Sequence, residues 1–419
     1  MTTTTTTDNL FDVLQSRGLV AQCTDDKIRE RLSKPVTAYI GFDPTADALH
    51  VGSLVQMMLL AHVQRCGHKP VALVGGATGL VGDPSGKTDA RQMLTPETIN
   101  HNAQCIAKQI GKVVRFGDGP TDAKLANNLD WFGSMGWIDM LREVGARMSV
   151  NRMMSMESVK GRMTGEGEGI SYLEFSYMLM QGYDFAHLYK HHGCTLQMGG
   201  QDQWGNIVIG IDLARRLHDA DLAGLTTPLV TKSDGGKFGK SEQGNVWLDK
   251  TRTSVFDFFQ FWRNVSDADV GRFLGFFTFL PMDEVNELAS AQGKAINESK
   301  VRLAYEVTKL VHGEDEARAA QDSAAKAFSA SADMTGDAIP SAALDLAELE
   351  AGLGILALLV RAGLAKSNSE ARRLIQGGGV RLGENKVEDP NRTLTAEDTI
   401  DSTLLLRVGR KRMFRFDVG

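Results

Sequence analysis

No apolar run in this chain of 419 residues is long enough to span a bilayer, so no transmembrane helix is expected. The opening MTTTTTTDNL lacks the basic-then-apolar order of a secretory signal and reads as a disordered polar tail. Cysteine is scarce: Cys23, Cys66, Cys105 and Cys194 are scattered without metal-ligand spacing, and a chain of this size needs no disulfide staples. A reducing cytoplasm fits that usage, and no metal site is expected. Two nucleotide signatures are missing as well. GGATGLVGDPSGKT (75–88) is close to a phosphate-cradling loop, but that spacing demands glycine where Val81 stands. No G-x-G-x-x-G occurs, which leaves a dinucleotide fingerprint unsupported. Internal repeats are absent too.

What remains is the composition of a soluble globular protein, 42% apolar and 23% charged, too long for one ordinary core. The net charge of −6 is unevenly spread: residues 351–419 carry 12 Lys+Arg against 8 Asp+Glu, a surplus of four that leaves −10 for the rest. A basic tail on an acidic body suggests a module for a polyanion; a solvated charged surface is the bland alternative. VTAYIGF (36–42) reads as a buried strand, GSLVQMMLLAHVQRC (52–66) as a helix apolar nearly all round, and KPVALVGG (69–76) as the next strand. That succession is a βαβ unit and implies a parallel sheet. CTLQMGG (194–200) is a further apolar strand before a helical stretch from Trp204, and PLVTKSDGGKFGKS runs from a strand into a Gly-rich loop. The expected fold class is α/β: a doubly wound parallel sheet over residues 1–235, carrying a helical insertion at about 125–190. An all-α segment over 236–330, an aperiodic linker at 331–345 and a small α+β domain over 346–419 complete the chain.

Four places offer chemistry. The Gly-rich turn at 75–88 follows a strand, where α/β sheets bind ligands, and Asp83 within it could meet a cation or an amine or be a plain turn residue. In GFDPTADALHVGSL (41–54), His50 sits ahead of the helix that Gly52 and Ser53 begin. A helix start suits phosphate, and Gly52 would let a base or ribose approach the backbone; a structural loop histidine is the competing reading. KFGKS sets Lys237 and Lys240 three apart between glycines, which suits a mobile clamp on phosphates or an exposed basic turn. Tyr177, Gln181 and Asp184 fall at i, i+4 and i+7, so they share one face of an otherwise apolar helix. Buried polar groups there need partners, either a small polar ligand or an internal hydrogen-bond network.

Together these stretches resemble one family, the bacterial tyrosyl-tRNA synthetases of class I, along essentially the whole chain past the Thr tail. YIGFDPTADALHVGS is similar to the segment ending in the HIGH signature, and KFGKS to that family's form of the KMSKS loop. GGATGLVGDPSGK, SYMLMQGYD and QMGGQDQWGN also resemble family segments, in the same order. The resemblance implies a Rossmann-like catalytic domain, a connective insertion that forms a homodimer, and a C-terminal RNA-binding domain of the ribosomal-protein type. It implies that Tyr39 and Asp184 bond the phenolic hydroxyl of L-tyrosine, that Asp83, Tyr177 and Gln181 hold its ammonium group, and that Gln197 and Gln203 lie near its carboxylate. It implies ATP contacts from Asp43, His50, Gly52, Ser53 and Asp202, a pyrophosphate clamp from Lys237, Lys240 and Ser241, and further phosphate contacts from Lys87 and Arg91. Two positions depart from the family pattern: Ser53 stands where HIGH ends in His, and Ile40 where Cys is frequent.

The implied reaction is two-step: L-tyrosine and ATP, as its Mg2+ complex, form tyrosyl-adenylate and pyrophosphate, and the tyrosyl group then passes to the 3′ end of tRNA(Tyr). No permanent cofactor is implied. Arg372, Arg373, Arg381 and Lys386 are candidate tRNA contacts by charge and position. Three rivals have discriminating features. A tryptophanyl-tRNA synthetase would not need Tyr39 with Asp184. A silent relative that only binds RNA would not need His50 and KFGKS. A nucleotidyltransferase with an HxGH-like site would leave the helical segment and basic tail without purpose.

Overall fold

The computed structural model describes residues 8–83, 94–164, 169–233, 235, 238–241, 244–293, 295–328, 339–383, 385–400, 402–409 and 412–419. By its internal contacts the chain divides into two compact units, Met1–Asp249 with Ser266–Gln292, and Lys250–Val265 with Gly293–Gly419.

The first unit is built on a six-stranded sheet of β1 (Gln22–Cys23), β2 (Thr37–Phe42), β3 (Lys69–Val74), β4 (Lys124–Asn127), β5 (Cys194–Gly200) and β6 (Ala223–Thr227). Their spatial order is β1-β6-β5-β2-β3-β4; β2 to β6 run parallel and β1 pairs antiparallel with β6. The order of strand addition reverses at β2: β3 and β4 build outward on one side, β5 and β6 on the other. The crevice between β2 and β5 is therefore the topological switch point, where open α/β sheets bind ligands. Right-handed crossovers in the two directions put helices on opposite faces. Leu54–Arg65 follows β2, and ten of its twelve residues are buried, as expected for a helix apolar on nearly every side. On the other face the helices Tyr172–His192 and Trp204–His218 pack together, and Phe185, Ala186 and Leu188 join Tyr39, Val71 and Leu73 in one core. Burying each such large apolar side chain stabilises the fold by about 1.5–3 kcal/mol.

Local chemistry sets the ends of the long helix that carries the polar stripe. Ser171 caps it with a reciprocal pair: its hydroxyl accepts the Glu174 N–H, and the Glu174 carboxylate accepts the Ser171 N–H. Gly193 ends it in the left-handed conformation at φ 63°, where a side chain would be strained.

Four elements differ from the sequence reading. Residues 124–127, expected to open the helical insertion, form the edge strand β4 against β3, a short strand whose KLAN sequence has no apolar run to announce it. The helices Val270–Phe277 and Met282–Ser290 group with the sheet unit instead of with the helices that flank them in sequence. Residues 341–344 of the expected linker form β9, discussed below. The insertion itself is helical, with Leu129–Phe132, Trp137–Glu143, Val150–Met154 and Glu157–Thr164. The loop after β6 closes with a small hairpin, β7 (Lys240–Ser241) and β8 (Gly244–Asn245).

In the second unit, Val255–Arg263, Ile296–His312 and Glu314–Phe328 pack as helices around Phe256, Phe258, Phe259 and Trp262. A five-stranded sheet follows, in the order β11-β10-β12-β13-β9, from β9 (Ser341–Leu344), β10 (Val380–Leu382), β11 (Asn385–Lys386), β12 (Thr403–Val408) and β13 (Arg412–Val418). Helices Ile355–Arg361 and Asn368–Gln376 share its core with Leu404, Leu406 and Phe416. No helix among the described residues is long and apolar enough to cross a membrane.

Candidate active site

A cavity of about 320 Å³ opens at the switch point. Strand β2 lines it with Tyr39, Ile40 and Phe42, and β5 with Gln197, Met198 and Gly199; Tyr39 and Gln197 are register partners on these neighbouring strands. The Tyr172–His192 helix contributes Tyr177, Gln181 and Asp184, so the stripe spaced i, i+4, i+7 does face one pocket. Asp43, His50, Ser53, Asp83, Asp202 and Gln203 complete the polar lining.

Its inner end is buried. Tyr39 is 1% exposed and Asp184 2% exposed. Among the described residues neither the Tyr39 hydroxyl nor the Gln197 side-chain oxygen has a hydrogen-bond partner. Burial pushes the Tyr39 phenol well above its ordinary range, and the nearby Asp184 carboxylate adds to the shift. Burial likewise pushes Asp184 up, opposed by two N–H donors: Trp131 Nε1 at 2.9 Å to Oδ1 and Asn128 Nδ2 at 3.1 Å to Oδ2. A carboxylate has about four lone-pair sites. Two remain on Asp184 for a further donor.

The middle of the cavity holds two polar networks. Tyr177 donates its hydroxyl to Asp43 Oδ2 at 2.8 Å, and Thr78 donates to Asp43 Oδ1 at 2.9 Å. Burial, then the Asp43 and Asp83 charges, raise the Tyr177 phenol well above its usual value. Gln203 Nε2 donates to Asp83 Oδ2 at 2.8 Å, and Asn206 Nδ2 donates to Gln181 Oε1 at 2.8 Å. Ammonium chemistry suits this region, because it gathers two carboxylates and several amide and hydroxyl oxygens.

At the mouth, His50 caps the 3₁₀ turn Val51–Ser53 that feeds Leu54–Arg65, and its Nδ1 accepts the Gly52 N–H at 3.0 Å. The glycine at 52 has a steric cause within the chain: a Cβ there would lie 2.7 Å from His50 Cε1. The expected reason, room for a base or ribose, is not needed to explain it. The Gly-rich loop comes to the same place. Val246 N–H donates to the Gly239 carbonyl at 2.9 Å, and Val51 N–H to the Val246 carbonyl at 3.0 Å. A backbone bridge joins His50 to Trp247, so the histidine and the KFGKS segment adjoin. Phe238 anchors that segment, its ring stacked 5.6 Å from Phe277 at 11° and 4.9 Å from Phe273.

Lys87, Arg91 and Lys237 lie outside the described residues; for Lys240 and Ser241 the backbone, in β7, is what is described. Sequence reasoning missed Asn128 and Trp131, which orient Asp184, and Thr78 and Asn206, which complete the networks. None carried a local signal: Asn128 and Trp131 stand at and just after a four-residue helix start, more than 50 residues from their partner.

A family model described as tRNA synthetases class I (W and Y) matches residues 31–329, and one for the S4 domain matches residues 354–400. The tyrosine–tRNA ligase of Clostridium kluyveri is 48% identical over 409 residues, covering 97% of this chain and 98% of its own. That of Clostridium botulinum is 47% identical over 412 residues, covering 98% and 99%. Among solved structures, a C-terminally truncated mitochondrial tyrosyl-tRNA synthetase of Aspergillus nidulans is 32% identical at a TM-score of 0.68, covering 77% of this chain and 94% of that one. With a switch-point cavity built for a polar ligand, and with relatives at nearly half identity over its whole length, the chain belongs to the class I tRNA synthetases, among the bacterial tyrosyl-tRNA synthetases.

Proposed function

We propose that the chain charges tRNA(Tyr) in two steps within this cavity. It is a tyrosine–tRNA ligase that uses ATP. A carboxylate oxygen of L-tyrosine attacks the α-phosphorus of ATP, the bond to the bridging oxygen breaks, and pyrophosphate leaves. The terminal adenosine hydroxyl of tRNA then attacks the carbonyl carbon of tyrosyl-adenylate, and AMP leaves. The first nucleophile is already ionised, so no general base is needed there; positioning and charge stabilisation supply the acceleration. Mg2+ enters on the ATP phosphates as part of the substrate.

The observation that carries this reading is the buried Tyr39 hydroxyl, without a hydrogen-bond partner among the described residues, beside Asp184 at the inner end of the cavity. A buried hydroxyl without a partner costs free energy that a phenolic oxygen would recover. Asp184 would accept that phenol's proton-bearing bond, while Asp83, Tyr177 and Gln181 hold the ammonium group and Gln197 and Gln203 flank the carboxylate. At the mouth, His50, whose Nδ1 accepts the Gly52 N–H, would meet a phosphate oxygen. Asp43, Gly52, Ser53 and Asp202 would meet the nucleotide. Lys237, Lys240 and Ser241, with Lys87 and Arg91, would neutralise the departing pyrophosphate.

For the rest of the molecule, a catalytic part to about residue 235, a helical part to about 330 and an RNA-binding part from about 346 are proposed. Arg372, Arg373, Arg381 and Lys386, all exposed, would meet tRNA phosphates. A homodimer through the insertion is proposed because Trp137 (58%), Ile138 (62%) and Tyr172 (63%) lie exposed there. A cytoplasmic location is proposed with it. ATP–pyrophosphate exchange measured with each of the twenty amino acids tests the central claim. Tyrosine alone should support exchange at micromolar to millimolar concentration; exchange driven by tryptophan, or by none, would overturn it.

A further inference from the structure

Asp184 and His187 are three residues apart on the Tyr172–His192 helix, so they share a face, and one side chain from outside that helix touches both. Trp131 donates its indole N–H to Asp184 Oδ1 at 2.9 Å and lies flat on the His187 imidazole, ring centroids 4.2 Å apart and planes at 18°. Trp131 is buried in the core with Tyr39, Leu73 and Phe185, and its one N–H bond alone does not fix the tilt of the indole about the donor–acceptor line. The stacked imidazole removes that freedom, because a ring pressed face to face cannot tilt without losing contact. His187 is itself backed by His191 on the next turn, centroids 4.3 Å apart at 30°, and Tyr183 stands at 6.2 Å.

We propose that His187 is a positioning and specificity residue for the phenolic substrate, holding the Trp131 indole so that Asp184 keeps the orientation that receives a hydroxyl. This rests on the reading of Asp184 as the partner of the tyrosine phenol. His187 touches neither substrate nor reacting atoms; it acts through Trp131. Burial, reinforced by His191, His192 and Lys190, holds the His187 pKa down to about 4. The ring is therefore uncharged at neutral pH and stacks without setting a cation beside Asp184.

The test is pyrophosphate exchange with the full-length protein carrying His187→Leu, His187→Phe or Asp184→Asn. His187→Leu fills the space without stacking; it should raise the KM for tyrosine about two- to tenfold, the range of an aromatic pair. Phenylalanine should be rejected less well by a similar factor, with kcat and the KM for ATP unchanged. His187→Phe, which restores a flat partner, should return both values to those of the parent. The proposal is overturned if the Leu variant keeps the parental tyrosine KM and discrimination. It is equally overturned if Phe fails as Leu does, or if the KM values for tyrosine and ATP rise together, which would mark a merely structural role. Asp184→Asn separates the two levels. If it too leaves phenylalanine rejection intact, the underlying assignment of Asp184 falls; if it abolishes rejection while His187→Leu does not, only the role of His187 falls.

Discussion

His50 and Gly52 occupy so little space that each dictates the other. The imidazole accepts the Gly52 N–H, and any Cβ at 52 would press on the ring from 2.7 Å. Gly52→Ala is therefore expected to fold and to bind tyrosine normally while displacing His50. Single-turnover adenylate formation should slow by at least tenfold, toward the rate of His50→Ala, as for loss of one transition-state donor; an alanine variant as fast as the parent would refute the coupling. Another buried histidine contributes to acid sensitivity. His62 is 2% exposed, T-stacked on Phe279 at 5.2 Å, and burial together with Arg17 and Arg65 holds its pKa down to about 3. An unfolded histidine titrates near 6.5. Above that pH neither state is charged and His62 has no effect. Between about 6.5 and 3 the unfolded chain takes a proton that the native one refuses, so stability falls with pH by up to about 1.4 kcal/mol per unit. Urea unfolding at pH 7 and pH 5 should show a loss of about 2 kcal/mol from this residue, and His62→Leu should lack that part of the decline.

At the scale of elements, one helix decides how the Gly-rich loop is held. Val270–Phe277 offers Phe273 and Phe277 to the Phe238 ring, and Asp269 at its start accepts from the Ser233 N–H and hydroxyl at 3.1 Å each. The loop is thus pinned before and within the KFGKS segment. Phe238→Ala removes the aromatic anchor without touching either lysine. It should raise the KM for ATP several-fold in exchange assays and leave the KM for tyrosine unchanged; equal effects on both substrates would show that Phe238 serves general packing. The elements themselves were unevenly legible. Strand β5 and the helix after it announce themselves as an apolar run and a 3.6 period, because burial of both sheet faces demands them. Strand β9 does not. Its SAAL sequence becomes a strand only because β13, more than 65 residues later, offers a parallel edge.

At the scale of the molecule, the exposed apolar residues of the insertion bear on assembly. Trp137 and Tyr172 meet edge to face at 6.3 Å, and both lie exposed, as does Ile138 next in sequence to Trp137. Ile138→Arg would set an unpaired charge in the proposed two-fold contact. Sedimentation equilibrium at micromolar concentration should then shift from dimer to monomer; an unchanged mass would place the interface elsewhere. By itself the amino-acid sequence determined the alternation of strands and helices, the parallel sheet, and the alignment of Tyr177, Gln181 and Asp184 on one helix face. Those follow from periodicity and local capping, which act over a few residues. Only the tertiary structure decided that Trp131 and Asn128 orient Asp184 and that residues 266–292 join the sheet unit. Such contacts depend on which side chains the packed sheet brings within 3 Å of each other, and no local pattern encodes that.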